Sequence, residues 1–296
     1  MAALRRLGAW AANPWGKPRF LVLVTLAYMV WAIVPILVAI RFSFNEGRSR
    51  STAQGWSTRW YWDDPDLSVW NDPSLREAVF QSLQLAALAM LVAVPLGVLL
   101  ALGLTRWRGR GSGTARFVSL FPLVTPEIVM GTALFLTFVH LFKFVELGTP
   151  AQVIGHVTFS ISFVVIIVRS RLLSIGPEYE EAAMDLGASP RQALRMVLLP
   201  LLAPAIFASF MIVFAISIDD FVISAFLSSD ASTETVPIKI YSNARGAPTP
   251  ALNAVASVML VVSLLAIVLA VIVVRAVQRG RGERVRTVED FAQLNV

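Results

Sequence analysis

Six apolar runs dominate this chain, at approximately 20–42, 78–104, 116–142, 152–173, 201–227 and 251–275. Crossing the hydrocarbon core of a bilayer takes about 20 helical residues, and each run meets that length. In lipid every backbone N–H and C=O must find a partner inside the protein, which leaves helices or a closed barrel. Barrel strands are short and alternate polar with apolar side chains, whereas these runs are long and continuously apolar, so helices are expected. Charged residues are only 15% of the sequence against 56% hydrophobic, too few to clothe a soluble domain of 296 residues. The expected fold class is an all-α integral membrane protein with six transmembrane helices. Residues 1–19 and 276–296 are expected to be tails.

Other classes fall away on composition. The chain has no cysteine, which removes disulfides, thiolate metal sites and thiol nucleophiles. His140 and His156 are far apart, lack metal-ligand spacing and read as interfacial or packing residues. The formal charge of +6 does not point to nucleic acid, because most Arg and Lys residues flank apolar spans. Phe20 to Ile40 is too long for the apolar region of a signal peptide and reads as an uncleaved first span.

The basic residues set an orientation. Arg106, Arg108, Arg110 and Arg116 lie between spans two and three, and Arg169, Arg171, Arg191 and Arg195 between spans four and five. Arg275, Arg279, Arg281, Arg284 and Arg286 cluster at and beyond the end of span six, while the loop between spans three and four offers only Lys143, beside Glu146. The positive-inside rule then puts both termini in the cytoplasm, as an even number of spans requires. The 44–77 loop falls on the outer side. Its tryptophans, Trp56, Trp60, Trp62 and Trp70, read as an interfacial belt or as a docking rim for an external partner.

Between spans four and five the chain runs from Gly176-Pro177-Glu178 to Leu199-Pro200. This spacing predicts two short helices with a hinge. Pro177 suits a first helical position, and Glu178, Glu180 and Glu181 favour the positive end of the helix dipole. Gly187 can take the left-handed conformation that ends the first helix, and Ser189 can cap a second one starting at Pro190. Pro200 is expected to break or kink the start of span five. Two readings stand on physics alone. The Ala182-Ala183 face, flanked by acids, suits a groove on another protein, or the segment is an amphipathic connector on the membrane surface.

The order Glu181-Ala182-Ala183, Gly187, Val197, Leu199-Pro200 resembles the EAA loop of ABC-importer permeases. The family pattern is Glu-Ala-Ala, three residues, Gly, nine residues, Ile, one residue, Leu-Pro, and only Val197 departs from it. The resemblance implies a type I ABC-importer permease fold, with a coupling helix seated in a groove of an ATPase subunit. It assigns ATPase coupling to Glu178, Glu181, Ala182, Ala183, Asp185, Gly187, Leu199 and Pro200.

Further segments are similar to the spermidine/putrescine permease subfamily, and to its C-type subunit. They include Phe121-Pro122-Leu123-Val124-Thr125-Pro126-Glu127, Gly155-His156-Val157-Thr158-Phe159, Ser217-Ile218-Asp219-Asp220-Phe221 and Val236-Pro237-Ile238-Lys239. That likeness covers about residues 20–275. It implies a B-type permease partner, two ATPase subunits and an external solute-binding protein, working by alternating access in a bacterial inner membrane.

Ionisable groups within spans are costly and face a partner, a cavity or a pathway, which makes Asp219, Asp220 and Glu127 the candidate substrate-pathway residues. Neighbours on a helix point about 100° apart, so at most one of Asp219 and Asp220 faces the path. The other readings for the pair are helix capping or pairing with a partner subunit. Glu127 follows Pro126, and a broken helix beside an acid marks a gate or a substrate site, or else the acid sits at the membrane edge. Pro95-Leu96-Gly97 reads as a kink.

No Gly-x-x-x-x-Gly-Lys-Ser/Thr sequence occurs, so the chain carries no P-loop and no catalytic residues of its own are expected. No cofactor is expected in this chain, and ATP and Mg are assigned to the partner ATPases. The alternatives are an ABC permease for sulfate, iron, a sugar, an opine or a phosphonate, or a secondary transporter, for which neither coupling residues nor inverted repeats are evident.

Overall fold

The computed structural model describes residues 19–49, 52–245 and 249–279, so most of the expected tails lies outside the described residues. Regular structure within them is helical, with no strand. In chain order the helices are α1 (Arg19–Ser43), α2 (Pro73–Arg106), α3 (Ser112–Val118), α4 (Phe121–Val124), α5 (Glu127–Leu136) and α6 (Thr149–Ile175). There follow α7 (Glu178–Asp185), α8 (Pro190–Ala193), α9 (Leu199–Asp219), α10 (Val222–Leu227), α11 (Val236–Arg245) and α12 (Pro250–Arg279). Five helical stretches are long and apolar enough to cross a membrane, and six if the bent pair α3–α4 and α5 counts as one span.

Two of the six spans are broken, the third at the proline the sequence pointed to and the fifth where no break was expected. The 116–142 run bends by 103° between Val124 and Glu127. Proline disfavours a helical conformation in the residue before it, and Thr125 accordingly stands extended ahead of Pro126, with φ −74° and ψ 128°. The 201–227 run stops at Asp219, and Asp220 is extended, with φ −65° and ψ 124°, before α10 restarts. No proline or glycine marks that second break.

Elsewhere the chain accommodates its prolines. Helix α2 continues past Pro95. Its start is fixed by Asp72, whose side chain accepts the amides of Ser74 and Leu75 ahead of Pro73 in the first turn. Pro200 does not break its helix either: Leu199 is helical, and a π turn over Leu194–Leu198 precedes it. There the Leu199 N–H reaches back to the Leu194 carbonyl. That extra residue per turn shifts the hydrogen-bond register where the proline ring would otherwise clash.

Helices α2, α6 and α9 form the central packing. Ala89, Ala93 and Ala101 of α2 are fully buried against a cluster that includes Val164, Val168, Leu202 and Val213. Small residues let membrane helices approach closely, and dispersion between them replaces the hydrophobic effect that lipid does not supply. Gly97 belongs to this contact: a Cβ there would sit 2.6 Å from Val164 Cβ. Helix α1 packs against α12, and its apolar window buries nothing.

Residues 44–49 and 52–72 form a built structure. Trp60 is fully buried against Leu75, Ala78, Val236 and Ala251, and its indole N–H donates to the Asn45 carbonyl at 2.5 Å. Trp60 is therefore a core residue and not part of a belt, while Trp56, Trp62 and Trp70 remain exposed. Asp64, nearly buried, pairs with Arg59 at 2.7 Å and accepts the amides of Leu67 and Asp66. Burial opposes its ionisation, but the two amides and the Arg59 guanidinium outweigh burial and hold the carboxyl below its ordinary range.

Two outcomes are expected. Gly97→Leu overpacks the α2–α6 contact and destabilises the protein by about 1–3 kcal/mol, read as a lower unfolding temperature in detergent. A depressed folded-state pKa gives Asp64 a contribution that is present above its unfolded value of about 3.9 and lost as pH falls through the folded value. Amides of the 44–72 loop should therefore exchange faster in acid. Asp64→Asn should bring that faster exchange to neutral pH and flatten the acid dependence.

Candidate functional site

Two places gather the residues expected to carry function. The first is the turn from α6 to α9. Gly176, with φ +76°, ends α6, and α7 begins with its three glutamates in the first turn. Gly187 takes φ +88°, and the amides of Gly187 and Ala188 close the end of α7 on the carbonyls of Met184 and Ala183. A Cβ at Gly187 would meet nothing within 4 Å, so the backbone conformation alone selects glycine there. Ser189 then caps α8 in a reciprocal box, accepting the Gln192 amide while the Gln192 side chain accepts the Ser189 amide.

Helix α7 packs on α8 and the π turn. Its other side is open. Glu178, Glu181, Ala182, Asp185 and Gly187 are exposed and Ala183 is half-buried, so these expected coupling residues share one accessible projection. Leu199 and Pro200 lie apart from them, at the start of α9, and are half-buried. Three apolar side chains that the sequence reading passed over stand out on the same projection: Tyr179, Met184 and Leu186, the last 91% exposed. Arg106, read only as a topology signal, forms an ion pair with Glu180 at 2.5 Å. That pair ties the end of α2 to α7 beside a cleft of about 360 Å³ lined by Arg106, Arg108, Leu173 and Pro177.

The second place is where the two broken spans meet. Helix α5, which starts at Glu127, packs against α10, which starts just after Asp220. Glu127 lies within electrostatic reach of both Asp219 and Asp220. The structure thus brings together the three acids that the sequence left on separate spans. It also separates the neighbours. Asp219 and Glu127 are exposed, whereas the Asp220 side chain is only 6% exposed.

Asp220 is turned inward by named partners. Its carboxylate accepts the amides of Ile223 at 3.4 Å and Ser224 at 2.8 Å, capping α10. It also lies 3.3 Å from His156 Nε2. His156 is buried, with Nδ1 2.7 Å from Ser217 Oγ and Nε2 2.9 Å from Ser224 Oγ. The sequence treated His156 as a packing or interfacial residue. Only its place between two serines and an aspartate from the same broken span shows a polar role, whereas His140 is exposed. A second buried pair sits nearby. Gln81 Nε2 donates to Gln152 Oε1 and Thr149 Oγ1, and Gln152 Nε2 donates to the carbonyls of Ser224 and Thr233. Beyond the break, Phe221 lies against Tyr241, over which Arg245 stands at 4.4 Å. Among the described residues no group of three or more His, Cys, Asp or Glu side chains is arranged to hold a metal ion.

With this geometry in place, comparison with known proteins gives a consistent picture. The family described as "Binding-protein-dependent transport system inner membrane component" matches residues 93–282. The putrescine transport system permease protein PotI of Escherichia coli K12 is 34% identical over 255 residues, covering 84% of this chain and 86% of that protein. The spermidine/putrescine transport system permease protein PotC of the same strain is 35% identical over 254 residues, covering 86% and 93%. Among solved structures, a bacterial ABC transporter involved in the import of the acidic polysaccharide alginate aligns with a TM-score of 0.69 at 16% identity. That alignment covers 87% of this chain and 95% of that one. The methionine transporter MetNI in an inward-facing conformation aligns at 0.56 and 19% identity, covering 68% and 93%. The fold is that of a type I ABC-importer permease, and the chain belongs to the family of binding-protein-dependent transport system inner membrane components.

Proposed function

We propose that this chain is the permease subunit of an ATP-driven importer for polyamines of the spermidine/putrescine class. The observation that carries the transport reading is the exposed projection of Glu181, Ala182, Asp185 and Gly187 on α7, whose C-terminal end is closed by the Gly187 and Ala188 amides. A short helix presenting acids, small residues and exposed apolar side chains is suited to a groove on a partner. In an importer of this family that partner is an ATPase subunit, of which two would bind ATP and Mg outside this chain. A second, B-type permease subunit completes the path, and an external solute-binding protein delivers cargo. The working arrangement has both termini in the cytoplasm, on the side of α7.

Cargo chemistry follows from the relatives and from charge. PotI and PotC are named for putrescine and for spermidine and putrescine. Glu127 and Asp219, exposed where two helices break, present carboxylates to a passing cation and oppose anionic solutes such as sulfate or phosphonates. Attraction between unit charges grows several-fold away from bulk water, so few carboxylates are needed in such a place. Asp220, engaged with His156 and with the start of α10, supports this surface from within. In alternating access, closing the ATPase dimer would move α7. The Arg106–Glu180 pair and the packing of α7 on the start of α9 would carry that motion into the spans.

The test is a reconstituted complex of this chain with its companion subunits and binding protein. Polyamine-loaded binding protein should stimulate ATP hydrolysis, and stimulation by an anionic solute alone would overturn the cargo reading. Glu181→Lys should reduce uptake by at least about tenfold, the loss of one charge-assisted contact, with the permease still present in the membrane. Retained uptake would sink the coupling role. At Gly187 the left-handed conformation costs a branched side chain about 1–2 kcal/mol. Gly187→Val should therefore uncouple ATP hydrolysis from uptake more than Gly187→Asn, since asparagine tolerates that conformation.

A further inference from the structure

We infer that His156 is the positioning residue of the acidic junction: it clasps both sides of the break in the fifth span and so decides which aspartate faces outward. The inference rests on the transport reading for its functional consequence, but the clasp itself is geometric. Ser217 precedes the break and Ser224 follows it, and one imidazole touches both, at 2.7 Å and 2.9 Å. The helix that supplies it is a separate span, α6, so the contact fixes the two halves of the broken span against a third body. Gly155 makes the approach possible. A Cβ there would lie 2.7 Å from both Ile223 and Leu227, so α10 sits directly on the α6 backbone one residue from the imidazole.

The hydrogen-bond roles are consistent with one tautomer. Asp220 is an acceptor, already taking the Ser224 and Ile223 amides, and its Oδ2 faces Nε2. A proton on Nε2 serves Ser224 Oγ and Asp220, and leaves Nδ1 to accept from the Ser217 hydroxyl. The imidazole, both serine hydroxyls and the Asp220 carboxylate then all have partners, in a place where lipid offers none. With Asp220 in extended backbone and drawn toward α6, its neighbour Asp219, the last helical residue of α9, is left exposed, as Glu127 is. Without the imidazole, Asp220 loses its tie to α6. Both the seating of α10 on α5 and the outward setting of Asp219 then relax.

The chain has no cysteine, so an introduced pair reports this seating directly. An added Cβ at Gly131 of α5 lies 3.4 Å from Phe226 Cβ of α10, close to the separation of a disulfide. The Gly131→Cys, Phe226→Cys protein, assembled with its companion subunits in membranes, should cross-link readily under mild oxidation. Adding His156→Ala should slow cross-linking by about tenfold, and His156→Gln, whose amide can reach Ser224 and Asp220, should restore most of the rate. In the cysteine-free protein, His156→Ala should raise the KM for polyamine uptake by about tenfold and change kcat less. Should His156→Ala fail to reach the membrane, the Ser217→Ala, Ser224→Ala protein keeps the imidazole volume and should slow the same cross-link. An unchanged cross-linking rate in that variant or in His156→Ala overturns the clasp, as does equal slowing by Ala and Gln at position 156. If cross-linking follows the clasp but no polyamine is transported by the parent complex, the clasp stands and the cargo reading falls.

Discussion

Breaking a helix inside a membrane frees backbone donors and acceptors that hydrocarbon cannot satisfy, and much of this structure follows from how two such breaks are paired. At the first, the prolines remove donors and impose the turn, so Thr125 and Pro126 redirect the chain with few groups left over. At the second, no proline helps. The amides of Ile223 and Ser224 are taken up by Asp220, and the Ser224 carbonyl by Gln152. A carboxylate doing this work in an apolar span needs support of its own, which His156 and Ser224 supply. The polar residues that close the break are therefore the ones that place an acid pair beside Glu127.

This arrangement explains why the central helices pack as they do. Polar bridges through His156, Gln152 and Ser162 run from α6 to its neighbours, the last to the Ser119 carbonyl at 2.8 Å. Closely packed alanines on α2 and the contact at Gly97 hold α6 from the other side. A rigid α6 is a sensible base for two short, mobile-length helices such as α10 and α7, because neither is long enough to hold its own position. Helix α7 is fixed instead by the closure at Gly187, by its packing on α8 and the π turn, and by Arg106.

How far the sequence announced this structure depends on the kind of signal. Long apolar runs and capped turns act locally, so the spans, Gly187 and the Ser189 cap were all readable before any coordinates. Pro126 likewise signalled trouble in the third span. The break after Asp219 was not readable, because Ile218-Asp219-Asp220-Phe221 contains no helix breaker. The signal there is a capping carboxylate, which becomes meaningful only once His156, some sixty residues earlier, is seen beside it. Trp60 failed for the same reason. Tryptophan near an apolar boundary reads as interfacial, and only Asn45 and Val236, distant in sequence, make it a core residue. Pro200 shows the converse: a strong local breaker is overruled by a single π turn.

The two candidate sites also differ in what kind of surface they are. The α7 projection is defined by what it leaves uncovered, since Leu186 at 91% exposure gains nothing from this chain. An apolar side chain held that far out at the end of a short helix makes sense when another protein covers it. The acidic junction is defined by the opposite rule, one carboxylate buried so that two others stand exposed. Both sites sit where a span enters or leaves regular helix at the two ends of α9, before Leu199 and after Asp219. A displacement of α7 reaches the start of α9 through the π turn. The far end of that helix ends at Asp219, one of the two aspartates within electrostatic reach of Glu127. Helix α9 is thus the shortest covalent route in this chain from the α7 projection to the acids.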